Sequence, residues 1–79
     1  MNKEQIEKEL SEYIVALTGV DIDITSDTTL SDMNVDSISL VKIFVFIERH
    51  FGVSLLDVGL NREQIETLGC FAGYIQEQL

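Results

Sequence analysis

The chain has no proline, no tryptophan and only one cysteine, Cys70. One cysteine cannot form an internal disulfide, so the chain is not a disulfide-stabilised secreted scaffold, and a reducing cytoplasm is the expected location. Cys70 itself is expected to pack as a small hydrophobic residue. The N-terminus also lacks the apolar segment of a signal peptide. The longest apolar-rich run, 38–47, falls well short of the roughly 20 residues that cross a bilayer.

Basic residues are also scarce. Five Lys and Arg stand against fourteen Asp and Glu, for a net charge of −9. Such a surface repels the phosphates of nucleic acids and of anionic membranes, so neither is expected as a partner. A hydrophobic content of 46% nevertheless argues against disorder. With 79 residues the chain is expected to form one small domain, 1–79, that is too small for a deep catalytic cleft. A carrier, an adaptor or an ion binder is therefore expected rather than an enzyme.

The spacing of apolar residues predicts an all-α fold, a small four-helix bundle with three main helices and one short helix. The main helices are expected at about 3–18, 37–51 and 67–78, and the short one at 61–66. A long acidic connection, 20–36, links the first two. The predicted core residues are Ile6, Leu10, Ile14 and Leu17 in the first helix, Ile22, Ile24, Leu30, Met33 and Val35 in the connection, Leu40, Phe44, Ile47 and Phe51 in the second helix, and Leu68, Phe71, Ala72 and Ile75 in the last.

Residues that start and stop helices lie at the ends of these segments. The expected N-caps are Asn2, Asp36, Asn61 and Thr67, and the expected terminating glycines are Gly19 and Gly52. Asp36 places Ser37 in the first turn of the most apolar helix. Because a helix N-terminus offers unpaired N–H groups and the positive end of the helix dipole, a phosphate ester on Ser37 would be tolerated there.

Four segments carry a resemblance to a known family. They are 35–38 (Val-Asp-Ser-Ile), 51–53 (Phe-Gly-Val), 66–68 (Glu-Thr-Leu) and 71–75 (Phe-Ala-Gly-Tyr-Ile). Together with the acidic helical pattern, they resemble the acyl carrier proteins of the phosphopantetheine-binding family, in the free-standing form. The resemblance implies an acyl-carrier-protein-like bundle in which Asp36, Ser37 and Ile38 form the motif. It also implies that Ser37 accepts 4′-phosphopantetheine from coenzyme A, transferred by a Mg²⁺-dependent phosphopantetheinyl transferase.

The terminal thiol of that arm would hold acyl groups as thioesters. The implied partners are the transferase, acyl- or aminoacyl-loading ligases, synthase or condensing enzymes, and tailoring enzymes, with the carrier acting as a monomer. The interior of the bundle is a candidate shelter for an acyl chain, lined by Leu40, Phe44, Ile47, Phe71 and Ile75.

Two features depart from the family pattern. The family usually has glycine two residues before the motif Asp, where this chain has Asn34, a residue that tolerates left-handed backbone.

Fatty-acid carriers also have a strongly acidic second helix, whereas the corresponding face here combines polar, basic, apolar and acidic residues. That face is predicted to dock partners through Ser39, Lys42, Val45, Glu48 and Arg49. It favours polyketide or other specialised-metabolite assembly over primary fatty-acid synthesis; a peptidyl or aryl carrier of a nonribosomal peptide pathway is the alternative.

Several interpretations stay open at this point. Ile38, Val45 and Phe46 fit either a core or an apolar docking surface, and an unmodified helical adaptor would use the same surface. His50, the only histidine, is expected to interact with the dipole at its helix C-terminus. The acidic connection also partly matches a calcium-binding loop, although Gly is missing at its sixth position and Glu at its twelfth. The candidate oxygen ligands are Asp21, Asp23, Thr25, Asp27 and Asp32.

Overall fold

The computed structural model describes residues 2–55 and 61–79, and its regular elements are helices. Three α-helices, α1 (Lys3–Thr18), α2 (Ser37–Phe51) and α3 (Leu68–Gln78), confirm the predicted all-α fold and the bounds of its main helices. The short element expected at 61–66 is a 3₁₀ helix, Arg62–Ile65. Within the described residues the only β-type pairing is an isolated bridge between Thr29 and Thr67.

The ends of the α-helices are set by the residues that the sequence indicated. The side chains of Asn2 and Thr67 each accept the backbone N–H three residues further on, at 2.8 and 3.1 Å. Gly19 and Gly52 end α1 and α2 with φ angles of 71° and 74°, in the left-handed region that favours glycine. The boundaries of α1 and α2 are therefore set by residues at the helix ends themselves.

The core lies where α1 and α3 pack against each other and against the inner side of α2. The predicted inward residues of α1 and α3 are buried, apart from Leu17, which is half-buried. In α2 the most deeply buried residues are Ile43 and Ile47, whereas the predicted Leu40, Phe44 and Phe51 are only partly buried. The predicted row of core residues lies to one side of the row that is buried, because α2 is apolar around most of its circumference and the pattern does not single out one face. The buried residues are Ile6, Leu10, Ile14, Val20, Leu30, Met33, Ile43, Ile47, Val53, Leu55, Leu68, Phe71, Ala72 and Ile75.

The connection between α1 and α2 is held onto the bundle by three buried side chains of its own, of which Val20 was not predicted. Leu30 and Met33 are buried, and Ile24 and Val35 pack against the core, as predicted. Ile22 was predicted to anchor the loop, but it is 46% exposed. It stands between two exposed aspartates, Asp21 and Asp23, in the stretch between the buried Val20 and the partly buried Ile24.

Backbone hydrogen bonds attach the same connection to the start of α3. The N–H groups of Leu68 and Gly69 donate to the carbonyls of Thr28 and Ser26 at 2.9 and 2.8 Å. A Cβ atom at position 69 would stand 3.0 Å from the Ser26 carbonyl oxygen, so the close approach depends on a glycine. The loop thereby pairs N–H groups at the α3 N-terminus that lack partners inside the helix.

Candidate functional site

Asp36 caps α2 and is the best-defined polar group of the candidate site. Its Oδ1 accepts the Ser39 N–H at 2.7 Å, and its carbonyl accepts the Leu40 N–H at 2.9 Å. The hydrogen bonds donated by the Ser39 backbone and hydroxyl lower the pKa of the exposed Asp36 carboxyl below its usual value. The side chain is therefore a carboxylate at neutral pH, and the sequence-based prediction of this cap is confirmed.

Ser37 is the first residue of α2 and is exposed to solvent. Among residues 2–55 and 61–79, no hydrogen bond involves its hydroxyl. The chain reaches it through Asn34, whose φ of 59° is the left-handed conformation expected from the sequence. The Asn34 N–H closes this turn onto the Ser31 carbonyl at 3.1 Å. The turn thus presents an uncommitted hydroxyl at the positive end of a helix.

A groove of about 710 Å³ opens beside Ser37, between the connection, α2 and the 3₁₀ helix. It brings together four apolar residues and three carboxylates: Leu30, Val35, Leu40, Ile65, Asp36, Glu63 and Glu66. Of the residues predicted to shelter an acyl chain, only Leu40 lines this groove. Ile47, Phe71 and Ile75 are completely buried in the packed core. The space next to Ser37 is therefore a surface groove, separate from the interior that the sequence offered as a candidate shelter.

The outward side of α2 carries most of the residues that were predicted to dock partners. Lys42, Val45, Glu48 and Arg49 are exposed there, whereas Ser39 is half-buried against the Asp36 cap. The structure adds Val41, which is 54% exposed and was not predicted. Its position three residues after Ile38, on the same side of the helix, was the signal that could have identified it.

Phe46 belongs to the packing between α1 and α2. Its ring stacks on Tyr13 of α1 with centroids 4.1 Å apart and, on its other side, on His50 at 5.0 Å. Ile38 and Val45 are 70% and 39% exposed, which places both on the surface. The two interpretations left open by the sequence are thus separated: Phe46 packs against another helix, and Ile38 and Val45 face solvent.

His50 lies in the last turn of α2, as the dipole interpretation required, but its closest polar partner is on another helix. Its Nε2 lies 2.8 Å from Glu9 Oε1 of α1. The ring also meets the edge of Phe51, with centroids 4.8 Å apart. His50 thereby helps to hold α2 against α1, a contact that sequence periodicity does not reveal.

Two other sequence-based interpretations concern Cys70 and the acidic connection. Cys70 was predicted to pack in the core, but it is exposed, because the inward face of α3 is formed by residues 68, 71, 72 and 75. Within the described part of the chain, no group of three or more Asp, Glu, His or Cys side chains comes together to hold a metal ion. In the calcium-loop hypothesis Thr25 was a ligand; its hydroxyl instead accepts the Asp27 N–H at 3.3 Å.

None of the helices in residues 2–55 and 61–79 combines the length and the apolar character needed to cross a bilayer.

Comparison with known proteins identifies the family to which the chain is similar. Residues 8–75 match a protein-family model described as "Phosphopantetheine attachment site". The chain is also 32% identical over 77 residues to a protein named acyl carrier protein from Rhodococcus erythropolis (strain PR4 / NBRC 100887). That alignment covers 95% of this chain and 82% of the relative.

Proposed function

The chain belongs to the phosphopantetheine-attachment family of acyl carrier proteins, and on that premise we propose that Ser37 is its attachment residue. The resemblance noted in the sequence is thereby confirmed at the level of the family. The protein is a carrier and not an enzyme, and its cofactor is 4′-phosphopantetheine.

The residues around Ser37 fit a covalently attached phosphate ester. Its hydroxyl is exposed, so a transferase can reach it, and no hydrogen bond within the described residues has to be broken first. In the attachment step the Ser37 Oγ–phosphorus bond forms as the pyrophosphate linkage of coenzyme A breaks. Adenosine 3′,5′-bisphosphate leaves, and the hydroxyl proton passes to a base or to solvent. The N-terminus of α2 then stabilises the phosphodiester anion through the helix dipole. When attached, the arm supplies a thiol that holds acyl groups as thioesters.

Asp36 acts in this proposal as a positioning residue. By holding the Ser39 N–H at 2.7 Å, it fixes the first turn of α2 and so the direction in which the Ser37 hydroxyl points. Ile38, which is 70% exposed, stands beside the hydroxyl as an apolar contact for the transferase. The groove next to Ser37 offers an apolar floor, formed by Leu30 and Leu40 among others, on which the arm can lie.

The partner class follows from the character of α2. Glu48 is the only one of the chain's fourteen acidic residues in this helix. We therefore place the carrier in polyketide or other specialised-metabolite assembly, with docking through Ser39, Lys42, Val45, Glu48 and Arg49. In this proposal, one bundle over 1–79, with the 3₁₀ helix as its fourth helix, works as a monomer in the cytoplasm. Its partners are the transferase, a loading ligase, and condensing and tailoring enzymes.

A peptidyl or aryl carrier is the second candidate, and the rim of the groove supports its peptidyl form. Asp36, Glu63 and Glu66 line the space beside Ser37. Three carboxylates at that position favour cargo with a cationic amine, as in an aminoacyl group, and repel cargo that ends in a carboxylate. The two pathways would be separated by measuring whether partner enzymes bind the carrier more tightly when it holds an aminoacyl group or when it holds an acyl group.

The proposal is tested by the intact mass of the protein after incubation with a broad-specificity phosphopantetheinyl transferase, coenzyme A and Mg²⁺. The wild type should gain one phosphopantetheinyl group, and Ser37→Ala should gain none. Ser31→Ala is the matched control, because Ser31 is also an exposed serine beside the same groove, and this variant should be loaded like the wild type. A folded wild-type chain that gains no mass would overturn the proposal and favour an unmodified adaptor.

A further inference from the structure

We propose that Gly69 is a positioning residue for the modification of Ser37, although it does not line the groove beside that serine. The close approach that Gly69 permits lets the start of α3 hold Leu30, and Leu30 in turn holds the residues that lead into α2. The inference rests on the proposed function in one respect, namely that Ser37 is the residue a transferase modifies. It goes further by assigning α3 a part in presenting that serine.

A short antiparallel seam, formed by residues 26–30 and 66–69, joins the connection to the beginning of α3. Its centre is the bridge between Thr29 and Thr67. Three backbone hydrogen bonds follow one another along it, from Gly69 to the Ser26 carbonyl at 2.8 Å, from Leu68 to the Thr28 carbonyl at 2.9 Å and from Leu30 to the Glu66 carbonyl at 3.2 Å. Because these bonds join the same two segments, a displacement at the Ser26 end strains the bond at the Leu30 end.

Gly69 is the point where the two segments of the seam come closest. A Cβ atom there would stand 3.0 Å from the Ser26 carbonyl oxygen, 3.1 Å from the Ser26 Cβ and 3.4 Å from Glu7 Oε1. Ser26 is also tied to α1, because its hydroxyl donates to Glu7 Oε1 at 2.6 Å. A side chain at position 69 therefore presses on a residue that both α1 and α3 hold, and the connection has to shift.

Leu30 carries the seam to the site. Its N–H is the donor at one end of the seam, and its carbonyl accepts the N–H groups of Met33 and Val35 at 3.1 and 3.0 Å. Val35 directly precedes the cap Asp36. The side chains of Leu30 and Val35 both line the groove beside Ser37. Through this one residue, the position of α3 reaches the wall of the groove and the turn before the serine.

Local bonds shape the same turn without placing it on the bundle. The Asn34 N–H donates to the Ser31 carbonyl at 3.1 Å, and the Met33 N–H also reaches the Thr29 carbonyl at 3.2 Å. Both bonds join residues of the connection to each other. The bond from Leu30 to Glu66 instead ties the turn to the segment that leads into α3, so the seam is the element that sets where the turn lies.

The first test compares two glycines of α3 by amide hydrogen exchange of the unmodified full chain. Gly69→Ala and Gly69→Val add a side chain at the tight point. Gly73→Ala and Gly73→Val are the matched controls, because a Cβ there would meet nothing closer than Lys3 Cε at 3.8 Å. Relative to the buried Ile47 amide, which reports opening of the whole bundle, exchange at Val35 should be at least about fivefold faster in Gly69→Val, the shift that loss of one typical hydrogen bond causes. The Gly73 variants should keep the wild-type ratio.

The second test measures loading by a broad-specificity phosphopantetheinyl transferase at saturating coenzyme A, with the concentration of the carrier varied. Gly69→Val should raise the KM for the carrier at least about threefold with little change in kcat, because the transferase binds only the fraction of chains whose seam is closed. Gly73→Val should keep the wild-type KM. Each variant is assayed well below its own unfolding midpoint, so unfolded chains do not account for a change in KM.

The outcomes separate this inference from the function on which it rests. Faster exchange confined to the amides of Leu68 and Gly69, with Val35 and KM unchanged, would show that Gly69 serves α3 alone, and the inference would be wrong. An equal rise in KM for Gly73→Val would also overturn it. If Gly69→Val does not fold, Gly69→Ala decides the same question, since it requires a shift of only a few tenths of an ångström. A folded wild type that is not loaded would instead refute the assignment of Ser37.

Discussion

The division of α2 into a buried and an exposed side can be tested with one matched pair of substitutions, Ile43→Ala and Ile38→Ala. Both remove the same atoms from the same helix. Ile43 is completely buried, whereas Ile38 is 70% exposed. The sequence alone favoured neither as the core residue, so the comparison addresses the part of the structure on which the docking surface depends.

The expected magnitudes follow from burial. Each of the three carbons lost from Ile43 contributes about 0.8 kcal/mol of transfer free energy, or roughly 2.4 kcal/mol together. The cavity left behind adds to this, for an expected loss of about 3 to 4 kcal/mol in the free energy of unfolding. Ile38 keeps most of its contact with water, so its truncation should cost less than about 1 kcal/mol. A domain of this size has a total stability of about 4 to 12 kcal/mol, so the larger loss is readily measured.

Urea unfolding followed by far-ultraviolet circular dichroism measures both changes at constant m-value. If Ile43→Ala does not fold, Ile43→Val should still cost about 0.5 to 1.5 kcal/mol, while Ile38→Val should be close to neutral. The reasoning would be refuted by Ile38→Ala destabilising the protein as much as Ile43→Ala does. That result would mean that Ile38 is buried and is not available as the apolar contact proposed beside Ser37.

Two further predictions concern the approach to Ser37. Hydrogen bonds from Ser39 lower the pKa of Asp36 in the folded protein. The carboxylate therefore stabilises the fold above the unfolded-state pKa of about 3.9. This stabilisation is lost as the pH falls through the lower folded-state pKa. Asp36→Asn keeps an oxygen acceptor without the charge and should flatten the acid limb of a stability–pH curve; a limb as steep as the wild type's would contradict the assignment. At the left-handed Asn34, thermal unfolding should show that Asn34→Ala loses about 1 kcal/mol while Asn34→Gly stays within about 0.5 kcal/mol of the wild type. Equal stability of the two variants would contradict the strain argument.

The sequence was most informative where the structure depends on neighbouring residues. The caps Asn2, Asp36 and Thr67 and the glycines that end α1 and α2 act within a few residues, and the helix bounds were predicted from them correctly. The left-handed turn at Asn34, just before the site, was expected from the family resemblance, in which glycine usually stands at this position.

The failures concern tertiary contacts. The core side of α2 could not be identified because the helix offers apolar residues on several faces, and only packing against α1 and α3 selects Ile43 and Ile47. The contact between His50 and Glu9 joins residues far apart in the chain, so no local pattern announces it. The exposure of Cys70 and the surface groove beside Ser37 likewise follow from how the helices are arranged.

The attachment of the first connection to α3 has a consequence for the order in which the protein matures. The connection that leads to Ser37 is held by Leu68 and Gly69, about forty residues later in the chain, through the carbonyls of Thr28 and Ser26. During synthesis these carbonyls have no partners until the start of α3 has left the ribosome and docked. The placement of the connection before Ser37 therefore depends on α3 as well as on local turns. Under the proposed function, a transferase that recognises the folded surface would modify only chains in which α3 has docked.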